Sequence, residues 1–293
     1  MRERRSKAAP DRVAILGTGL IGASIGLAAR ASGAIVTGWD TDKRALRTAA
    51  RRGALDKCAS SLKSALRGSA VVILAAPLDA ILTLLPRVIA DADKGALVLH
   101  CAGVMTPVNL SAVRLLKRRT AVRFAAAHPI AGSERSGPAA ANALLLKERV
   151  MAIHAPPQAQ RRSAWADASR FAASLGMTAV RVDASEHDDA VAALSALPQL
   201  ASLALALAVS SRPSRTWKSL AGPGYRDATR LASSRFAVWK PGLAANRTEI
   251  LRYVERLAKR VHGIEIALRG SDWAALERTF LSAAAARRRV YRA

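Results

Sequence analysis

The chain predicts an α/β protein, with a doubly wound parallel sheet in its first part and an all-α domain after it. Three observations carry this. A β-rich apolar run, Val13 to Leu16, ends in Gly17-x-Gly19-x-x-Gly22 and passes directly into a helical pattern. Apolar strands and helical segments then alternate as far as Asp183, the pattern of a parallel sheet with helical crossovers. Beyond Asp183 only helical patterns occur. A length of 293 residues suits about two domains. The boundaries give a basic tail (1–12), an α/β domain (13–183) and a helical domain (184–293).

The glycines have separate tasks. Gly17 permits the tight strand-to-helix turn, Gly19 lets a pyrophosphate approach the backbone, and Gly22 lets the helix pack on the strand. The helix opens at Leu20 and Ile21, where free N–H groups and the positive dipole end suit phosphates. The strand Ala34 to Trp39 ends at Asp40, whose carboxylate accepts hydrogen bonds from ribose hydroxyls and repels a 2′-phosphate. NAD is therefore predicted over NADP, with Lys43 and Arg44 softening the preference. Helices follow at Lys43–Arg52 and Ser61–Arg67. The buried strand Ala70–Ala75 ends in Ala76-Pro77, small enough for the nicotinamide half to cross the sheet. Next come a helix (Ala80–Ala90), a strand (Gly95–His100), a helix (Val108–Arg118) and two strands (Ala121–Ala126, Arg149–His154). After the break at Pro156-Pro157, a helix (Ser163–Leu175) and a strand (Thr178–Val182) complete an NAD-binding domain of Rossmann type.

In the second domain, Asp183-Ala-Ser-Glu-His-Asp supplies capping residues for a helix from about His187 to Val209. It is apolar nearly all round, so both sides must be covered. A central helix of this kind packs on its copy in a dimer, and a homodimer through the C-terminal helices is predicted. Helical segments at Leu220–Ser234, Gly242–Arg260 and Asp272–Arg289 complete the domain.

Bulk composition narrows the function. A hydrophobic content of 51% supports a sizeable core, and two cysteines, Cys58 and Cys101, argue against a disulfide scaffold or multi-cysteine metal site. They fit a reducing cytoplasm. No metal is predicted. The N-terminus is basic but lacks an apolar segment before Val13, unlike a secretory signal. The most apolar run, Ala190 to Val209, contains Ser195, Pro198, Gln199 and Ser202, and is expected to be a buried or interface helix with no role in a membrane. The net charge is +25, from 46 Lys and Arg against 21 Asp and Glu. Those charges are spread along the chain and aromatics make up only 4%, so no base-stacking platform is expected and no specific nucleic-acid binding. A field that draws in anionic small molecules is the better fit.

Two stretches carry more polar groups than packing needs. His128-Pro-Ile-Ala-Gly-Ser-Glu-Arg-Ser-Gly137 follows a sheet strand, where ligands of open α/β sheets lie. His128 is a candidate general base, with Ser133, Glu134 and Arg135 around it. Gly224-Tyr-Arg-Asp-Ala-Thr-Arg-Leu-Ala232 places Arg226 and Arg230 on one helical face, suited to bidentate capture of a carboxylate.

These stretches, with Gly17-Thr-Gly-Leu-Ile-Gly22, Glu186-His-Asp188, Leu197-Pro198, Trp239 and Asn246, resemble the prephenate/arogenate dehydrogenase family of tyrosine biosynthesis, from Val13 to about Arg260. The resemblance implies a Rossmann domain joined to a helical dimerisation domain. It implies NAD-linked oxidative decarboxylation of a cyclohexadienol, prephenate or, as the alternative, arogenate. The family's catalytic histidine falls on His128 and its carboxylate-binding arginine on Arg230. Glu134 matches a glutamate near the site entrance, and Trp239 a tryptophan that reaches the neighbouring subunit's site. The family's Asp-x-Gly-Ser-x-Lys becomes His100-Cys-Ala-Gly-Val-Met105, so Gly103 stands where a serine contacts the histidine and Met105 where a lysine stands. Gln199 replaces a histidine that contacts the substrate side chain. These departures are compatible with a compensated site, in which Thr106, Ser133 or a water takes the serine's place, with a shift toward arogenate or another substrate, or with a diverged nucleotide-binding homologue of weakened or no activity.

Overall fold

A computed structural model of the protein describes residues 10–117, 122–132, 135–156, 161–209 and 214–291. Most of the predicted basic tail, and the site candidates Ser133 and Glu134, lie outside the described residues.

The first domain runs β1 (Arg12–Leu16), α1 (Leu20–Ala31), β2 (Ile35–Trp39), α2 (Lys43–Arg51), β3 (Lys57–Cys58), α3 (Leu62–Leu66), β4 (Val71–Leu74), α4 (Leu78–Asp91), β5 (Leu97–His100), α5 (Thr106–Leu116), β6 (Arg123–Pro129), β7 (Val150–His154), α6 (Arg161–Ser174) and β8 (Thr178–Arg181). Asp42 caps α2 by accepting from the N–H groups of Arg44 and Ala45, and Ser61 opens α3 in a reciprocal cap with Ser64.

The eight strands form one sheet in the order β3-β2-β1-β4-β5-β6-β7-β8. The strand order reverses between β1 and β4, which leaves a crevice at their carboxyl ends. Alternation along each strand divides the core. Val13, Ile15, Val71, Ile73, Leu97 and Leu99 pack on one face against α1, α2 and α6. Ala14, Leu16, Val72, Leu74, Val98 and Phe124 pack on the other against α3, α4 and α5.

Two features differ from expectation. The sheet is not wholly parallel, because β7 pairs antiparallel to β6, with His128 opposite Ala152. A parallel return needs a long crossover, usually a helix. The segment between β6 and β7 carries only 3₁₀ turns among its described residues, at Pro138–Ala140 and Ala143–Leu145. The second is β3, a two-residue strand too short to show a pattern in the sequence.

The second domain comprises α7 (Ala184–Val191), α8 (Leu197–Val209), α9 (Arg215–Leu220), α10 (Pro223–Thr229), α11 (Phe236–Ala245), α12 (Arg247–Arg269) and α13 (Trp273–Tyr291). A π-helical turn, Ala192–Ala196, joins α7 to α8 immediately before Pro198. Proline lacks an N–H and its ring crowds the carbonyl one turn earlier, so the widened turn relieves a clash that a regular helix would carry. The expected helix from Leu220 to Ser234 is broken. Gly222-Pro223 starts α10 afresh, and Arg230 begins a 3₁₀ turn. Arg226 and Arg230 therefore do not share one regular helical face.

The expectation that no segment is long and apolar enough for a bilayer is corrected. Ala184–Val209 meets that test by length and composition, an 18-residue window within it having a mean hydropathy of 1.8. Nor is its surface covered on both sides within the chain. Leu194 is 63% exposed and Leu207 71%, with Leu203 and Leu205 also open. Its other side is internal: Ala192 and Ala196 pack with Ile250, Leu200, Trp239 and Tyr253.

Candidate functional site

The glycine turn is built for close approach. Gly17 has φ +96°, and a Cβ there would lie 2.6 Å from the carbonyl oxygen of Ala75. A Cβ on Gly22 would fall 2.0 Å from the Gly17 oxygen. At Gly19 nothing lies within 4 Å of that position, so the approach is open. Gly19 is the N-cap of α1 and provides no side-chain hydrogen bond to the first N–H groups, at Leu20 and beyond. Ile21 packs against the core of the sheet.

A cavity of about 570 Å³ opens at this turn. Gly17, Gly19, Asp40, Ala76 and Pro77 line it, and Gly137 and Pro138 close one side. The Asp40 carboxylate is fixed at its mouth, accepting from the Thr18 N–H (2.6 Å), the Thr18 hydroxyl (2.8 Å) and the Asp42 N–H (2.9 Å). Lys43 turns back to the Asp40 carbonyl instead of the carboxylate. A glycine cradle, unsatisfied helix N–H groups and a held acid at the switch point fit a dinucleotide with free ribose hydroxyls.

His128 lies near the end of β6, on the same sheet edge and two strands from β4, about 10 Å at ordinary strand spacing. Its Nδ1 is 3.0 Å from Nε2 of His187, with the rings edge-to-face at 82°. His187 Nδ1 is 3.0 Å from Asp188 Oδ1. The Asp188 carboxylate also accepts the backbone N–H groups of Met105 (2.7 Å) and Thr106 (2.9 Å), and the Asn246 side chain donates to the Asp188 carbonyl at 2.7 Å. Burial opposes charge on Asp188, but the hydrogen bonds from His187, Met105 and Thr106 hold its carboxyl below the usual range.

Sequence reading missed the roles of His187 and Asp188. The Glu-His-Asp run at a helix start was visible as capping and as part of the family resemblance, with no role assigned to His187 or Asp188. In the structure Asp183 alone performs the capping, accepting from Ser185. Among the predicted stand-ins for the missing serine, Thr106 hydrogen-bonds Asp188, not His128. Gly103 leaves a space, since a Cβ there would be 3.8 Å from His128 Nε2. Met105 is fully buried and packs with Ala126, Ala152 and Ala184.

Gln199 is buried, and its amide nitrogen donates to the Leu231 carbonyl at 2.9 Å. Because that carbonyl can only accept, the other amide atom, Oε1, is the free one, and it has no partner among the described residues. Arg230 is exposed in the adjoining 3₁₀ turn. Trp239 packs inside its own chain against the α7–α8 junction.

Burial holds two histidines neutral. It pushes His100 down to about 4, against the pull of Asn109 and Asp188. It pushes His128 down to about 3, aided by repulsion from His187 and His100 and opposed by Asp188. Unfolded, both titrate near 6.5, so below that pH the unfolded chain binds more protons and stability falls as pH drops toward 4. The loss is on the order of a few kcal/mol. The thermal midpoint should decline across that window, and His100→Asn should flatten the slope in a pH series of melts.

A family model described as prephenate dehydrogenase, nucleotide-binding domain, matches residues 25–181, and one described as prephenate dehydrogenase, dimerization domain, matches residues 183–282. The chain belongs to the prephenate dehydrogenase family. The prephenate dehydrogenase of Bacillus subtilis (strain 168) is 29% identical over 278 residues, 93% of this chain and 74% of that protein. Among solved structures, the A. aeolicus prephenate dehydrogenase in complex with hydroxyphenyl propionate and NAD+ has a TM-score of 0.80 at 20% identity, covering 98% of this chain and 100% of that one. Synechocystis arogenate dehydrogenase has a TM-score of 0.75 at 22% identity, covering 95% and 99%. At these identities the structural likeness is one of fold.

Proposed function

We propose that the protein is an NAD-dependent prephenate dehydrogenase that converts prephenate to 4-hydroxyphenylpyruvate in tyrosine biosynthesis. The observation that carries this is His128, a histidine held neutral on the sheet edge that bears the glycine cradle. Gly17 and Gly19 with the N–H groups of Leu20 and Ile21 hold the pyrophosphate, Gly22 keeps α1 close on β1, Asp40 takes the ribose hydroxyls, and Ala76 and Pro77 shape the floor. Bound there, NAD supplies the hydride acceptor.

His128 takes the proton of the ring hydroxyl through Nε2. It needs no prior deprotonation, because burial already keeps it neutral. Arg230 holds a substrate carboxylate from its exposed turn. Ser133 and Glu134 follow His128 in the sequence, and the resemblance gives Glu134 a place near the site entrance. Loss of the ring carboxylate as CO2 leaves an aromatic product, which supplies the driving force.

A homodimer through the C-terminal helices covers the exposed Leu194, Leu203, Leu205 and Leu207 face, while Trp239 packs on the opposite, internal side of the helix. The division at 183/184 separates the cofactor domain from the domain that pairs. A cytoplasmic location accords with Cys58 and Cys101 as free thiols.

One observation favours arogenate as the substrate instead. The free atom of Gln199 is an acceptor, which suits the ammonium of arogenate better than the keto group of prephenate. Formation of reduced nicotinamide with purified protein, NAD and each substrate tests both readings. Prephenate turnover is expected, with Gln199→His raising the prephenate-to-arogenate ratio of kcat/KM. NAD binding with silence toward both substrates would overturn the assignment.

A further inference from the structure

The reading of His128 as the base leaves open what sets its tautomer, since Gly103 provides no hydroxyl. We propose that His187 and Asp188 are positioning residues that fix His128 with its Nδ1 protonated and its Nε2 bare, and that His187 receives the displaced Nδ1 proton when the base is loaded. The inference rests on His128 being the base.

The ionised carboxylate of Asp188 only accepts, and its two oxygens already take the N–H groups of Met105 and Thr106. His187 Nδ1, 3.0 Å from Oδ1, must therefore carry a proton. A neutral His187 is then bare at Nε2. His128 Nδ1, 3.0 Å from that lone pair, must be the donor. A neutral imidazole carries one N–H, so His128 Nε2 is the bare nitrogen. It faces the space beside Gly103, where a Cβ would be 3.8 Å away. The opposite arrangement requires His187 to be a cation and His128 to present an N–H, which would not take a proton from substrate.

The same chain handles the charge that appears on reaction. The substrate O–H bond breaks and an N–H bond forms at His128 Nε2. The His128 Nδ1–H bond breaks and an N–H bond forms at His187 Nε2. His128 ends neutral, and the single positive charge resides on His187 against the Asp188 carboxylate. No electrons are gained or lost in this transfer. Support from behind the ring also accounts for Gly103: a serine on the substrate side is dispensable for orientation when the far nitrogen is held.

Histidine-selective ¹⁵N spectra at neutral pH test this directly, because the protein has only five histidines and each resonance can be assigned by substitution. The expected spectrum shows His128 protonated at Nδ1. His187→Leu should release the tautomer and lower kcat by about a hundredfold or more with KM and NAD affinity little changed. His187→Gln keeps an acceptor toward His128 and a donor toward Asp188 but takes no proton. It should keep the Nδ1–H tautomer, with a kcat between the other two. A His128 protonated at Nε2, or a His187→Leu protein that keeps both tautomer and kcat, would overturn the proposal. If His187→Leu fails to fold, the parent spectrum and the Gln variant still decide it. A bare Nε2 in a protein that turns over neither substrate would sink the substrate reading and leave this one standing. An Nε2–H with full turnover would do the reverse.

Discussion

His128→Asn binds NAD as tightly as the parent protein and transfers hydride at less than about a thousandth of the parent rate, within the range for loss of a positioned base. The side chain of Asn is close in reach to the imidazole Nδ1, so the hydrogen bond toward His187 survives and the fold is spared. What disappears is Nε2, the nitrogen that faces the space beside Gly103. Separate measurements are needed, NAD affinity by calorimetry and hydride transfer in single turnovers, because a collapse of both would report damage to the fold. Full activity in this variant would remove His128 from the chemistry and with it the reading of the whole sheet edge.

The second large effect is a contrast between two glycines three residues apart. Gly22→Ala places a methyl 2.0 Å from the Gly17 carbonyl oxygen and 3.1 Å from Ile15 Cγ2, inside the closed packing of α1 on β1. The turn has to move, at a cost of roughly 1–3 kcal/mol of stability, and NAD affinity falls with it. Gly19→Ala meets no atom within 4 Å, and its φ of −69° is one any residue adopts. That variant should melt within about 0.5 kcal/mol of the parent yet bind NAD at least tenfold more weakly, since the methyl stands where the pyrophosphate approaches. Parallel melts and NAD titrations separate the two. Equal NAD affinity in Gly19→Ala and the parent would place the cofactor elsewhere.

Much of this was legible before any coordinates. The glycine turn, Asp40, Ala76-Pro77 and the alternation of strands and helices are local signals, written in consecutive residues, and the structure puts them around one cavity. His128 at a strand end was equally local. The reversal of β7 was less so, although a long segment with Gly137-Pro138 and no helical pattern was a visible hint. The π turn was hidden because Pro198 sits inside an apolar run whose periodicity looks continuous. The partners of His128 were hidden for a deeper reason. His187 and Asp188 lie some sixty residues further along the chain, in a run that local reading assigns to capping. Only tertiary packing of α7 against the start of α5 turns them toward the base.

Asp188 stands at the seam between the two domains. Its carboxylate grips the nucleotide-binding side at Met105 and Thr106, while its carbonyl is gripped from the helical side by Asn246 at the start of α12. Any swing of one domain on the other that keeps these three bonds turns about this residue. Parts of the helical domain far from this residue travel most, while His128, two hydrogen bonds from the pivot, keeps its place against His187.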